Sequence, residues 1–149
     1  MLKPVIRPAR PDDLAGVLAL YRQLNPGDPV LDAATAAPVW AALLVSGLTT
    51  PFVVEIEGRL VASCTLAIVP NLSRGARPYG VIENVVTDEG HRRTGLGRAA
   101  LEAALDKAWA ADCYKVLLAT GSRRESTLRF YEGVGFTRDA KTYFEIRRP

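Results

Sequence analysis

Residues 81–111 limit what this chain can fold into more than any other stretch. A near-continuous apolar run, VIENVVTD, enters the turn EGHRRTGLGRAAL, which opens an alanine-rich helix predicted over about 95–111. Glycine lowers helix stability relative to alanine, and arginines at a helix N-terminus meet the positive end of the macrodipole. Arg92, Arg93 and Arg98 nevertheless cluster there with Gly95 and Gly97. The first N–H groups of a helix lack internal partners, and glycines that bring the backbone close let them cradle a phosphate or pyrophosphate. An anionic ligand is therefore expected at this turn. A solvated surface turn is the alternative, and the apolar strand leading into it weighs against that.

The ligand's class narrows by exclusion. The chain has no G-x-x-x-x-G-K-[ST] loop for a nucleoside triphosphate. Gly95-Leu96-Gly97-Arg98-Ala99-Ala100 fits the looser G-x-G-x-x-A pattern of dinucleotide sites, but those place an acidic residue near the end of the next strand. YKVLLATGS supplies none, and a hairpin and helices precede the motif, so a nicotinamide dinucleotide fits poorly.

Around that unit the order is β-α-α, an antiparallel hairpin, then β-α-β-α-β. PVIRPAR reads as a strand and Pro11 opens a helix carrying Leu14, Val17, Leu18, Tyr21 and Leu24. A second helix, about 32–46, presents Ala36, Val39, Trp40 and Leu43 on one face, leaving 25–31 as an irregular loop suited to substrate contacts. PFVVEIEGRLVASCTLAIV is a hairpin turning at Glu57-Gly58-Arg59, and PNLSRGARPYG is a loop. YKVLLAT reads as a strand buried on both faces, RESTLRFYEGVGF as a helix ending near Gly133–Gly135, and KTYFEIRR as a final strand. A mixed sheet covered by helices follows, in one domain over 1–149.

Composition excludes several classes. Hydrophobic residues at 48% and charged residues at 23% are ordinary for a globular protein, and the net charge of +3 is scattered along the chain. Only four of the nineteen basic residues are lysine, which favours bidentate contacts to phosphate or carboxylate. Cys64 and Cys113 form no C-x-x-C unit and read as buried free thiols, and His91 alone makes no metal cluster, so no metal is expected. No apolar run reaches membrane-spanning length and the N-terminus lacks a signal-peptide core, so a cytoplasmic protein is expected.

VVTDEGHRRTGLGRAAL resembles the acetyl-coenzyme-A signature of the GNAT N-acetyltransferase superfamily, R/Q-x-x-G-x-G/A, with Arg92, Gly95 and Gly97 at its fixed positions. FYEGVGF resembles that family's second hallmark, a tyrosine followed by a G-F turn, and the element order is similar throughout. The resemblance implies a mixed, mostly antiparallel α/β (α+β) sheet of six to seven strands with about four helices, splayed at central parallel strands. It implies that the backbone of Val85, Val86 and Thr87 holds the pantetheine arm like an added strand. Arg93, Thr94, Gly95, Leu96, Gly97 and Arg98 would form the pyrophosphate loop, with Tyr131 near the coenzyme sulfur. The family often has asparagine seven residues before that tyrosine; here the position is Arg124, which could meet a phosphate instead. IENVV and CYKVLL are also similar to glucosamine-phosphate N-acetyltransferases, though these are short apolar strings.

Acetyl transfer from a thioester to a primary amine needs a base for the amine, a polarised carbonyl, alignment and a proton for the departing thiolate. Glu83, alternating with Val81 and Val85, is the candidate base, expected to be partly desolvated with its pKa raised. Tyr131 is the candidate acid, and a backbone N–H near Val85 or Val86 would polarise the carbonyl. Glu83 paired with an arginine and Tyr131 as a core aromatic are the structural alternatives. Acceptor specificity falls to the 25–31 and 70–80 loops and the C-terminal segment. Arg74 and Arg77 suit an anionic acceptor; Asp28, Asp32 and Glu83 suit a cation. The rival from another class is a non-catalytic acyl-CoA- or nucleic-acid-binding module, although no run of aromatics alternates with arginine. The resemblance, together with the apolar strand TYFEI as an edge, implies a homodimer.

Overall fold

In the computed structural model, which describes residues 2–149, the hairpin forms the middle of one sheet. Strand β1 (Val5–Pro8) pairs with β2 (Thr49–Ile56), β2 with β3 (Arg59–Val69), and β3 with β4 (Tyr79–Thr87), all antiparallel. Strand β5 (Val116–Leu117) adds in parallel to β4. Glu57 and Gly58, both at positive φ, close the β2–β3 turn as a two-residue loop, so Arg59, expected in the turn, already begins β3.

Alternation along β2 decides what covers each face. Phe52 and Val54 join the core beneath helix α4 (Leu96–Ala110), whereas Val53 packs with Val17 of α1 (Leu14–Leu24) and Trp40 of α2 (Ala33–Val45) on the opposite face. On α4 the residues fully closed from solvent are Ala100, Leu101, Ala104 and Ala108. Three alanines at a spacing of four form a stripe with no side chain beyond Cβ, so the helix backbone lies close on the sheet. On the other face, Trp40 is buried with its indole N–H donating to the Pro11 carbonyl at 3.2 Å. Val39, expected on the buried face of α2, is exposed.

A four-residue helix α3 (Ser73–Ala76) and α5 (Glu125–Val134) complete the architecture. In α3, Arg74, Gly75 and Ala76 have positive φ, and the Asn71 amide brackets the turn by donating to the carbonyls of Ser73 and Arg77. Both cysteines are free and buried, as expected. Among the described residues no helix is long and apolar enough to cross a membrane.

The expected six to seven strands and about four helices are corrected to five strands and five helices among the described residues. KTYFEIRR forms no strand, and Tyr143, Phe144 and Ile146 are exposed. A strand exists only where another strand's edge meets its N–H and C=O groups, and this segment meets none among the described residues. Two consequences follow. The parallel pair sits at the sheet's edge, and β5 is not buried on both faces: Leu117 is exposed. β4 and β5 pair at Gly80–Val116 and Val81–Leu117, while β4 runs on to Thr87.

Candidate functional site

Beyond Val81 the β5-facing edge of β4 has no strand partner, so this edge is open where Glu83 to Thr87 lie. Its shape is not that of a regular strand. Thr65 pairs with Glu83 and Ser63 with Val86, so Asn84 and Val85 together oppose Cys64 alone. Such a bulge turns backbone groups out of the ladder, and Asn84 accommodates it at φ 54°, a conformation asparagine tolerates better than most residues. Tyr21 of α1 lies beside the Thr65 and Asn84 side chains, and burial pushes its hydroxyl pKa up. The bulge also ends the alternation of Glu83 with Val85, although Glu83 itself stays in register with Thr65. Its carboxylate is exposed, so the expected partial desolvation is absent.

After β4 the chain makes a 3₁₀ turn at Glu89–His91 and enters α4 through Gly95, which sits at φ 82° with open space around the position of a Cβ. The His91 N–H is held by Asp88 O at 2.8 Å, and Ala99 N–H by Gly95 O at 3.0 Å. The amides of Leu96, Gly97 and Arg98 precede that first intrahelical bond, which suits them to an anion such as a diphosphate. Arg92, Arg93, Thr94 and Gly95 are exposed there, while the Leu96 side chain is buried and leaves only its backbone. The Arg98 side chain is turned to Glu102, 2.7 Å away, one helical turn on. Gly97 is not in the open. A Cβ there would meet Thr87 Oγ1 at 2.7 Å and Phe130 Cζ at 3.4 Å, so glycine is required for packing.

That contact joins the two sequence motifs. Phe130 of α5 lies against Gly97 of α4, and Tyr131 beside it is half-buried, edge-on to Phe130 (5.1 Å) and Phe136 (6.2 Å). Desolvation, with Cys64 adding to it, pushes the Tyr131 hydroxyl pKa above its ordinary value, so it keeps its proton at neutral pH. Val86 is buried and Val85 half-buried on the bulged edge. Arg124 is the N-cap residue of α5, exposed, and its side chain makes no capping bond.

Comparison with known proteins agrees with this arrangement. The family model described as Acetyltransferase (GNAT) family matches residues 17–136. The chain belongs to the GNAT acetyltransferase family. A relative from Trypanosoma brucei brucei, named glucosamine 6-phosphate N-acetyltransferase, is 33% identical over 131 residues, covering 88% of this chain and 87% of its own. A solved protein of Agrobacterium tumefaciens str. C58 shares 48% identity and superimposes with a TM-score of 0.92 over 97% of this chain and 99% of its own. The Arabidopsis thaliana glucosamine-6-phosphate N-acetyltransferase, 24% identical, shares the fold with a TM-score of 0.86 over 97% of this chain and 98% of its own. This GNAT member is thus an acyltransferase of the acetyl-CoA-dependent kind, which sets aside the reading as a binding module.

Sequence reasoning missed one part of the site. Asp88, directly after β4, is 4% exposed, and its carboxylate accepts from Gln23 Nε2 (2.8 Å), His91 Nδ1 (2.8 Å), Arg59 Nη2 (3.2 Å) and Gly90 N (3.2 Å). These bonds, that of Gln23 first, hold its pKa at about 2. An aspartate two residues before a glycine at a turn is a side-chain capping signal, and it was there to be read. Gln23 gave no such signal.

Proposed function

We propose that this GNAT acetyltransferase moves an acetyl group directly from acetyl-CoA to the primary amine of a small molecule or peptide, within one domain spanning the chain. The observation that carries this is the Gly97–Phe130 contact, which brings the phosphate-suited loop and Tyr131 together beside the open edge of β4. Backbone amides of 93–98 hold the pyrophosphate, and Arg92, Arg93 and Arg124 add charge around it. The edge from Val85 to Thr87 takes the pantetheine arm as an added strand. A backbone N–H released by the bulge at Asn84–Val85 polarises the acetyl carbonyl. Glu83 accepts the amine's proton, directly or through water, and Tyr131 returns a proton to the departing thiolate.

The acceptor to test first is an amino sugar phosphate, because the T. brucei relative of similar length carries that name and Arg74 and Arg77 offer positive charge. Mixing the protein with acetyl-CoA and a panel of amines, glucosamine 6-phosphate among them, should release free thiol with at least one. No release with any amine would count against the transfer reading.

Glu83→Gln should lower turnover at neutral pH by about 10²-fold, the lower end of the effect of a positioned base. Raising the pH deprotonates the amine in advance, so the variant should approach wild type in alkaline buffer. A deficit that stays constant across the pH profile would remove Glu83 from the base role.

The same reading includes a homodimer. The Tyr143–Ile146 segment, apolar and without a partner strand, and the open edge of β5 are the features a second copy would cover. Light scattering at micromolar concentration should give twice the chain mass; a monomer would exclude the dimer.

A further inference from the structure

The exposed loop 92–95 must present its amides in a fixed direction, although few bonds fasten it from within. Thr94 Oγ1 donates to the His91 carbonyl, and Arg92 Nε reaches Thr87 O at 3.4 Å. The firm bonds lie one step earlier. Four donors from four residues converge on the Asp88 carboxylate, an acceptor-only group when ionised. Since His91 Nδ1 must then carry a proton, the ring is held with Nε2 facing away from Asp88. Gln23 uses both ends of its amide: Nε2 donates to Asp88, and Oε1 accepts from Glu89 N at 2.9 Å. The turn at 89–91 is thereby tied to the last turn of α1, 65 residues away in sequence. Nothing in the transfer chemistry uses Asp88, Gln23 or His91, and burying a carboxylate this far is costly unless it is paired in this way.

We propose that Asp88, acting through Gln23 and the 89–91 turn, is the positioning residue of the coenzyme loop, fixing the direction in which the amides of 93–98 meet the pyrophosphate. This rests on the reading that those amides bind the pyrophosphate. In Asp88→Asn an N–H₂ group faces donors in place of an oxygen, so at least one bond becomes a donor–donor clash. The loop loses its anchor while Glu83, Tyr131 and the β4 edge stay in place.

The test compares two donors, acetyl-CoA and S-acetylpantetheine, which keeps the thioester and arm but lacks the pyrophosphate and nucleotide. For Asp88→Asn, KM for acetyl-CoA should rise about tenfold, the scale of one charge-assisted hydrogen bond, with kcat at saturation unchanged. KM for S-acetylpantetheine should stay at the wild-type value. A general weakening of the scaffold would move both donors alike, and that result, or no change with either, overturns the proposal. Should Asp88→Asn not fold, Gln23→Met on the surface of α1 removes the same link, is read in the same way and should show a smaller shift in the same direction. Gly95→Asp separates the underlying reading. If it leaves the preference for acetyl-CoA over S-acetylpantetheine intact, the loop does not bind pyrophosphate. If it abolishes that preference while Asp88→Asn does not change it, only the positioning role fails.

Discussion

Tyr131→Phe should cut turnover by about 10²- to 10⁴-fold, the range for losing a positioned general acid, while leaving acetyl-CoA binding and the melting temperature nearly unchanged. The substitution removes one hydroxyl and keeps the ring that sits edge-on to Phe130 and Phe136, so the packing of α5 survives. Burial already holds the proton on this hydroxyl beyond its ordinary range, which suits donation to a thiolate and not service as a base. Because the interaction matters as negative charge builds on sulfur, its loss belongs to kcat and not to ground-state binding. Full turnover in Tyr131→Phe would make the tyrosine a packing residue and leave the thiolate to be protonated by water.

The second large effect is expected at Gly95. Its φ of 82° and the open space around it mean that aspartate, which tolerates this conformation better than most residues, can stand there without a clash. The carboxylate would then lie where the diphosphate is received. Two like charges about 4 Å apart repel by about 1 kcal/mol in water and about 4 kcal/mol at the effective dielectric near a protein surface. Acetyl-CoA affinity should fall by about 10²-fold, within that span. Gly95→Asn supplies the same shape without charge and should lose much less. Equal affinity in the Asp and Asn variants, measured by calorimetry, would show that no anion sits beside Gly95. Gly97 cannot serve this purpose, because any side chain there pushes on Thr87 and Phe130 first.

What was legible in the sequence was local. The strand–turn–helix unit at 81–111 and the helix bearing Tyr131 declare themselves by apolar runs, helical period and punctuating glycines, all within a few residues. What stayed hidden depends on partners far along the chain. Glu83 reads as one face of an alternating strand with Val81 and Val85, but the register with β3 puts a bulge at Asn84–Val85 that ends the alternation, and Glu83 is exposed. KTYFEIRR reads as a strand because pattern alone cannot say whether an edge awaits it. The Asp88 anchor joins residues from α1, the start of β3 and the 89–91 turn, and no window of sequence contains them together. Gly97 was legible as a required glycine, but the requirement is a close helix–strand contact instead of an open path for phosphate.

The alanine stripe of α4 ties two quantities that are usually thought of apart. Ala100, Ala104 and Ala108 set how far the helix axis stands from the sheet, and the free amides are the leading end of that same rigid rod. The thickness of one interior layer is therefore also the height of the coenzyme's seat above the strand that holds its arm. A methyl group added at Ala104, two turns from the loop and out of reach of any ligand, would tilt or lift the rod and spoil the fit at its tip. In this fold, interior volume and donor recognition are one dimension, and selection on either is selection on both.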